Sequence, residues 1–270
     1  MSVQAPPMQT LIVDGMSIAH AVAAPVGTPQ AAPILMLHGW GAHSGLMWAA
    51  AAGLAAHGWQ SYIPDLPGFG GTPAPLTAWS VYDYANFVLH YMDALGVDRV
   101  HLIGHSFGGR LALILGARHA DRIEKVALSD SAGVPPKRSQ RMNVRLSAYK
   151  AVRTGLQRIG ARSLSDRLQA WYSARYGSAD YRAAAGVMRE TFVRVVNENL
   201  LPLAAQVARP TLLFWGDQDA DTPLWMGQML EKTIPDAGLI VFAGAGHYAY
   251  LERSSEFVRI VDHFFKAEAR

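Results

Sequence analysis

The chain contains no cysteine, which excludes disulfides and thiolate metal centres and leaves its redox compartment open. Charge is also scarce. Only 17% of the 270 residues are Asp, Glu, Lys or Arg, and 24 basic against 21 acidic residues leave a formal charge of +3. A pI near 9.2 without a clustered Lys/Arg footprint is not the signature of a nucleic-acid binder. Long apolar runs are missing as well. The longest, residues 48–56, is Ala-rich, contains Gly53, and falls far short of the roughly 20 residues that a membrane span needs. The opening MSVQAPPMQT has neither the basic start nor the apolar stretch of a signal peptide, so a cytoplasmic protein without integral membrane association is expected. The ten histidines fall in no HExxH or similar spacing, so no metal is expected either.

What is present is apolar. A hydrophobic content of 50% over 270 residues is enough to bury a large core, in one big α/β domain or two small ones. Short β-rich runs alternate with longer helical ones, the pattern of a mostly parallel sheet covered by helices on both faces. Residues 11–13 and 18–23 read as a hairpin turned at Asp14-Gly15. Strands are expected at 34–37, 60–63, 100–103, 125–128, 211–215 and 239–242. Helices are expected at 49–56, 82–95, 107–118, 224–232 and 254–265. Between about 133 and 207 the rhythm breaks into helices alone, bounded by Pro135-Pro136 and Arg209-Pro210. The expected organisation is therefore a core of residues 1–132 and 208–270 with a helical lid inserted at 133–207.

Charge divides unevenly between these parts. Residues 133–194 hold 13 Lys/Arg and 3 Asp/Glu, leaving 11 basic and 18 acidic residues elsewhere. A solvated outer helix face accounts for most such bias. Attraction of anionic substrates or of an anionic membrane surface is the alternative.

Gly104-His105-Ser106-Phe107-Gly108 places a G-x-S-x-G pattern after an expected strand and before an expected helix. That context gives the pattern its weight. Ser106 would sit on a strained turn at the head of the next helix, whose amino end favours developing negative charge. Glycines two positions to either side let the turn approach its neighbours closely. A serine hydroxyl needs a base, and the base needs an acid behind it. His247, in Gly244-Ala245-Gly246-His247, directly follows the last expected strand. Asp217, Asp219 and Asp221 follow the strand ending at Trp215-Gly216, and all three compete for the acid's role.

Over nearly its whole length the chain resembles the α/β-hydrolase superfamily, in the stretches LMLHGWG, IPDLPGFGGT, LIGHSFGGRLAL, LLFWGDQDADTP and GAGHYAYLE. The resemblance implies that the acid is the second Asp of G-x-x-D-x-x-x-P, here Gly216, Asp219 and Pro223, with Asp217 and Asp221 as turn or cap residues. Some relatives place the acid where Asp130 stands. His38-Gly39-Trp40-Gly41 resembles the family's oxyanion loop. It implies Trp40 N–H as a donor beside Phe107 N–H, with His38 supporting the loop. His105 is expected to point sideways and Asp65 to hold a turn. Serine at 106 argues against the epoxide hydrolases and haloalkane dehalogenases of the superfamily, which use Asp.

The expected enzyme is a serine carboxylester hydrolase with triad Ser106, Asp219 and His247, no metal or organic cofactor, and a small, largely apolar substrate. Trp40, Phe107, Trp48, Trp171, Tyr172 and Tyr248 are the expected walls of its cleft. The same triad supports C–C bond hydrolysis of diketo acids, lactone opening or perhydrolysis, and a non-catalytic small-molecule receptor is the reading from another class. No feature marks a dimer face.

Overall fold

The computed structural model describes residues 7–136, 140–176 and 178–267. The outermost ends of the expected core, Gly177, and Lys137 and Arg138 of the basic segment lie outside the described residues. Eight strands form one sheet in the order β1-β2-β4-β3-β5-β6-β7-β8. Their limits are β1 Met8–Val13, β2 Met16–Ala23, β3 Ile34–Leu37, β4 Ser61–Pro64, β5 Val100–His105, β6 Ile123–Ser129, β7 Thr211–Gly216 and β8 Ala237–Phe242. Strands β3 to β8 are mutually parallel, and β2 runs against both its neighbours. Asp14 and Gly15 have φ of +50° and +79°, the pair of left-handed residues that a tight hairpin turn requires.

The central strands are buried on both sides. Every residue of β3 and of β5 is buried, as expected where helices cover both faces of a parallel sheet. One face packs against α1 (Ser44–Ala55) and α11 (Ser254–Lys266). The other packs against α2 (Val81–Ala94), α3 (Phe107–Arg118), α8 (Leu201–Ala204) and α9 (Leu224–Thr233). Helix α2 opens with a capping box, in which the Ser80 and Asp83 side chains each satisfy the other's backbone N–H. Helix α1 starts five residues before the expected 49. His43 Nδ1 accepts from Gly45 N at 3.1 Å, capping a first turn whose Gly45 would otherwise disfavour helix.

Between β6 and β7 lie α4 (Gln140–Arg158), α5 (Arg162–Tyr176), α6 (Ala179–Ala183), α7 (Gly186–Asn197) and α8, with no strand among the described residues. No described helix is long and apolar enough to cross a membrane. The strand order reverses between β3 and β5, with β4 outside one and β6 outside the other. In open parallel sheets a crevice opens beyond the carboxyl ends of the strands at such a point. The loops after β3 and β5, which carry Trp40 and Ser106, meet there.

Buried histidines set the fold's acid tolerance. Burial disfavours the imidazolium and holds His38 and His101 at about 4 and His105 at about 3, below the ordinary 6.5. From these values up to 6.5 the unfolded chain binds more protons than the folded one. Their stabilising contribution is complete above pH 6.5 and is lost as pH falls through the folded-state values. Asp130, raised by burial to about 7, and the raised Asp180 and His247 act in the opposite sense and offset part of this, while His20, lowered by burial, adds to it. The melting temperature is expected to fall between pH 7 and pH 4.5 when followed by circular dichroism. A constant or rising value over that interval would show that these rings are not buried as neutral species.

Candidate active site

Ser106 stands between β5 and α3 with φ of +50° and ψ of −108°, a conformation that costs a non-glycine residue of order 1–3 kcal/mol. The two flanking glycines are obligatory for steric reasons. A Cβ on Gly108 would come 2.0 Å from Leu37 O, and one on Gly104 2.7 Å from Gly108 O. The bend projects the Ser106 hydroxyl toward the loop after β8, where His247 Nε2 lies 3.1 Å from Oγ. His247 Nδ1 lies 2.9 Å from Asp219 Oδ2. Because a carboxylate only accepts, Nδ1 carries the proton, which leaves Nε2 free to accept from the Ser106 hydroxyl.

Asp219 is held firmly. Its Oδ1 accepts from Asp221 N at 2.8 Å and Thr222 N at 3.0 Å, and its Oδ2 accepts from Thr222 Oγ1 at 2.6 Å. Burial alone would raise its pKa, but the hydrogen bonds from His247 and Thr222 outweigh that and lower it. For His247 burial pulls downward, and the hydrogen bond and charge of Asp219, with Asp221 and Asp130 behind, reverse the sign and raise it. Asp219, Asp221 and His247 bring possible ligand atoms within 4.8 Å of one another. Both His247 nitrogens and both Asp219 oxygens already have hydrogen-bond partners within the protein.

The loop after β3 completes the site. His38 accepts from Leu66 N through Nε2 at 3.0 Å and donates from Nδ1 to Gly39 O at 2.7 Å, which pins the loop and leaves no ring nitrogen for proton transfer. Among the described residues neither Trp40 N–H nor Phe107 N–H has an acceptor, and both residues line the same cavity as Ser106 and His247. Phe107 opens α3, where backbone donors have no partner within the helix.

Four further polar residues near the site have structural partners. His105, buried behind the bend, donates from Nε2 to His247 O at 2.8 Å. Asp65 accepts from Ser44 N and Gly71 N at 2.6 and 2.8 Å. Asp217 accepts from Gly244 N at 2.8 Å. Asp130 accepts from Gly216 N, Ala249 N and Ser129 Oγ, bracing the loops that carry Asp219 and His247.

The cavity has a volume of about 420 Å³, within the usual range for small-molecule sites. Tyr248 lines it as expected, but three other expected walls do not. Because α1 starts early, Trp48 falls on that helix and packs against the core on the opposite face of the sheet. Trp171 is 59% exposed and meets Tyr176 edge-on. Tyr172 stacks on Tyr149 at 3.9 Å, joining α5 to α4. The apolar wall comes instead from Phe192 and Val195 of α7, with Val134 and Met226. Phe192, Val195 and Thr191 are the buried residues of α7, so its 3–4 residue periodicity is the signal that marks this face. Thr222 and Arg110 were likewise not singled out from the sequence.

The model of the family described as the alpha/beta hydrolase fold matches residues 32–254. The chain belongs to the α/β-hydrolase family. Among curated proteins, this α/β hydrolase is 28% identical to the pimeloyl-[acyl-carrier protein] methyl ester esterase of Chromobacterium violaceum, over 89% of the chain and 96% of that protein. It is 30% identical to the 2-hydroxymuconate semialdehyde hydrolase of Pseudomonas putida, over 88% of each. Among solved structures, it superposes on a bacterial membrane phospholipase A with a TM-score of 0.73 and 25% identity, covering 96% of this chain and 86% of that one. These relatives are hydrolases of different bonds, so hydrolysis is the level at which they agree.

Proposed function

We propose that this α/β hydrolase cleaves a carboxylic ester of a small, largely apolar compound through an acyl-enzyme on Ser106. The reading rests on one observation: the run Ser106 Oγ, His247 Nε2, His247 Nδ1, Asp219 Oδ2, with steps of 3.1 Å to Ser106 and 2.9 Å to Asp219, beside two unengaged N–H donors in a cavity with one apolar wall. Ser106 Oγ attacks the ester carbon as His247 Nε2 takes its proton, and the carbonyl oxygen gathers charge within the Trp40 and Phe107 amides. Asp219 holds the imidazole tautomer and offsets the charge of the imidazolium. Collapse expels the alcohol, which takes the proton from His247. A water then attacks the acyl carbon, giving a proton to His247, and that proton returns to Ser106 as the acid leaves. Residues 133–207 act as the lid over this cleft, and residues 1–132 and 208–270 form the core. No cofactor enters any step.

A fluorophosphonate tests the reading directly. The enzyme is expected to gain a single covalent adduct on the peptide containing Ser106, by mass spectrometry, and to hydrolyse short p-nitrophenyl esters. Absence of both would sink it. The similarity to a 2-hydroxymuconate semialdehyde hydrolase favours C–C bond hydrolysis as a second reading, in which the same groups act on a diketo acid. A panel pairing esters with dienoic ring-cleavage products separates the two by the ratio of kcat/KM. Saturable binding without turnover on either would favour a receptor.

A further inference from the structure

Arg110 is the feature of the cavity that ester hydrolysis does not use. It lies on α3, whose residues Phe107 to Gly116 are all buried, and only 6% of its surface is accessible. Its guanidinium gives one hydrogen bond, from Nη1 to the main-chain oxygen of Glu198 at 3.0 Å. The Glu198 carboxylate acts on it through space but accepts from Tyr82 Oη at 3.1 Å; among the described residues no carboxylate forms an ion pair with Arg110. A guanidinium carries five donors, and burying its charge with so few acceptors is costly. Burial lowers its pKa to about 10, so it remains a cation at neutral pH. Arg110 lines the cavity with Ser106, one helical turn, about 5.4 Å, along α3 from the nucleophile.

The cavity is polar in a directed way. Asp180 and Asp221 line it beside His247 and Tyr248, and both act on Tyr248. Neither acts on Arg110, whose charged neighbour is Glu198. His247 must protonate the leaving group, so the alcohol faces the acidic side. In the ester reading the acyl chain is then left the part of the cavity that Phe192, Val195 and the Arg110 guanidinium line.

We propose that Arg110 is a carboxylate-binding subsite, and that the preferred substrate is an ester whose acyl part ends in a second, free carboxylate. This deepens the ester-hydrolase reading and rests on it for the direction of the acyl chain. A planar fork meeting a carboxylate with two parallel hydrogen bonds is the pairing such a site would form.

The test compares the p-nitrophenyl monoester of glutaric acid with p-nitrophenyl pentanoate, which has the same chain length without the charge. Wild-type kcat/KM is expected to favour the glutarate ester by about tenfold or more, the range of a hydrogen bond to a charged group. Arg110→Met is expected to lower kcat/KM for the glutarate ester at least about 30-fold more than for the pentanoate ester, mainly through KM. Arg110→Lys should recover part of the preference, because it restores the charge without the fork. A wild-type enzyme indifferent to the charge, or variants that lower both substrates equally, would mean that Arg110 only clasps the Glu198 carbonyl, and would overturn the proposal. A second arm needs no turnover. Free glutarate is titrated calorimetrically into Ser106→Ala with and without Arg110→Met, each checked for fold by circular dichroism. Binding that weakens by about tenfold with Arg110→Met supports the subsite even if no ester is cut. Equal binding, or none, in an enzyme that cuts esters removes the subsite and leaves the hydrolase reading standing.

Discussion

Exchanging Ser106 for alanine is expected to lower kcat on a p-nitrophenyl ester by about 10⁴- to 10⁶-fold, the cost of removing the nucleophile from other triads, with little change in KM. Without Oγ the acyl-enzyme cannot form, and water must attack the ester directly. The oxyanion donors and the cavity would remain, so catalysis above the solution rate would persist at about 10³- to 10⁴-fold. The ground-state complex would lose only one hydroxyl, and a loss confined to kcat marks an interaction made in the transition state. Fold should survive, because alanine meets the same backbone at φ +50° and the lost contact, at 3.1 Å to His247, is a single hydrogen bond. Full esterase activity in this variant would show that another group attacks.

Which parts of this site are legible in the sequence follows from how local each constraint is. The strained bend needs Gly104 and Gly108 within two residues of Ser106, because a Cβ at either would strike backbone, so the motif itself carries the geometry. The hairpin at Asp14-Gly15 is equally local. Strand limits agree at β3, where Ile34–Leu37 is apolar throughout, and are poorest at β1, whose exposed first residues leave no clean apolar block, and at β6, where Glu124 and Lys125 interrupt the apolar run.

Cavity walls are a different matter, because they depend on the phase of helices that meet only in the folded chain. Trp48, Trp171 and Tyr172 are aromatic residues in plausible segments, but helix phase turns Trp48 to the far face of the sheet and Trp171 to solvent. The wall comes from α7, the described helix of the 133–207 segment whose one face is consistently buried, at Thr191, Phe192 and Val195. Arg110 was hidden for the opposite reason. Arg110 and Arg118 in FGGRLALILGAR both read as the solvent side of an amphipathic helix, and only the burial of α3 from Phe107 to Gly116 turns the first of these charges inward. The uninterrupted apolar run from Leu111 to Leu115 was the available signal.

Replacing Asp219 with asparagine is expected to cut kcat by about 10⁴-fold, the magnitude seen when the acid of a triad is made an amide. An Nδ2 donor set against His247 Nδ1 would favour the tautomer with its proton on Nε2, which can no longer accept from Ser106. The same change removes the chief influences that raise His247, its hydrogen bond and charge from Asp219. The acidic limb of the kcat/KM profile, set above pH 6.5 in the wild type by the raised imidazole, should therefore move to lower pH in Asp219→Asn as the rate falls. Asp130→Asn provides the contrast. Its oxygens are taken by Gly216 N at 2.9 Å, Ala249 N at 3.1 Å and Ser129 Oγ at 2.8 Å. An amide there would turn a donor against donors and cost about 1–3 kcal/mol of stability, read as a lower melting temperature. Its effect on kcat should be far smaller, because His247 donates to Asp219 and touches Asp130 only through charge. The reverse ranking, with Asp130→Asn the more damaging to kcat and Asp219→Asn nearly silent, would reassign the acid to the strand β6 position.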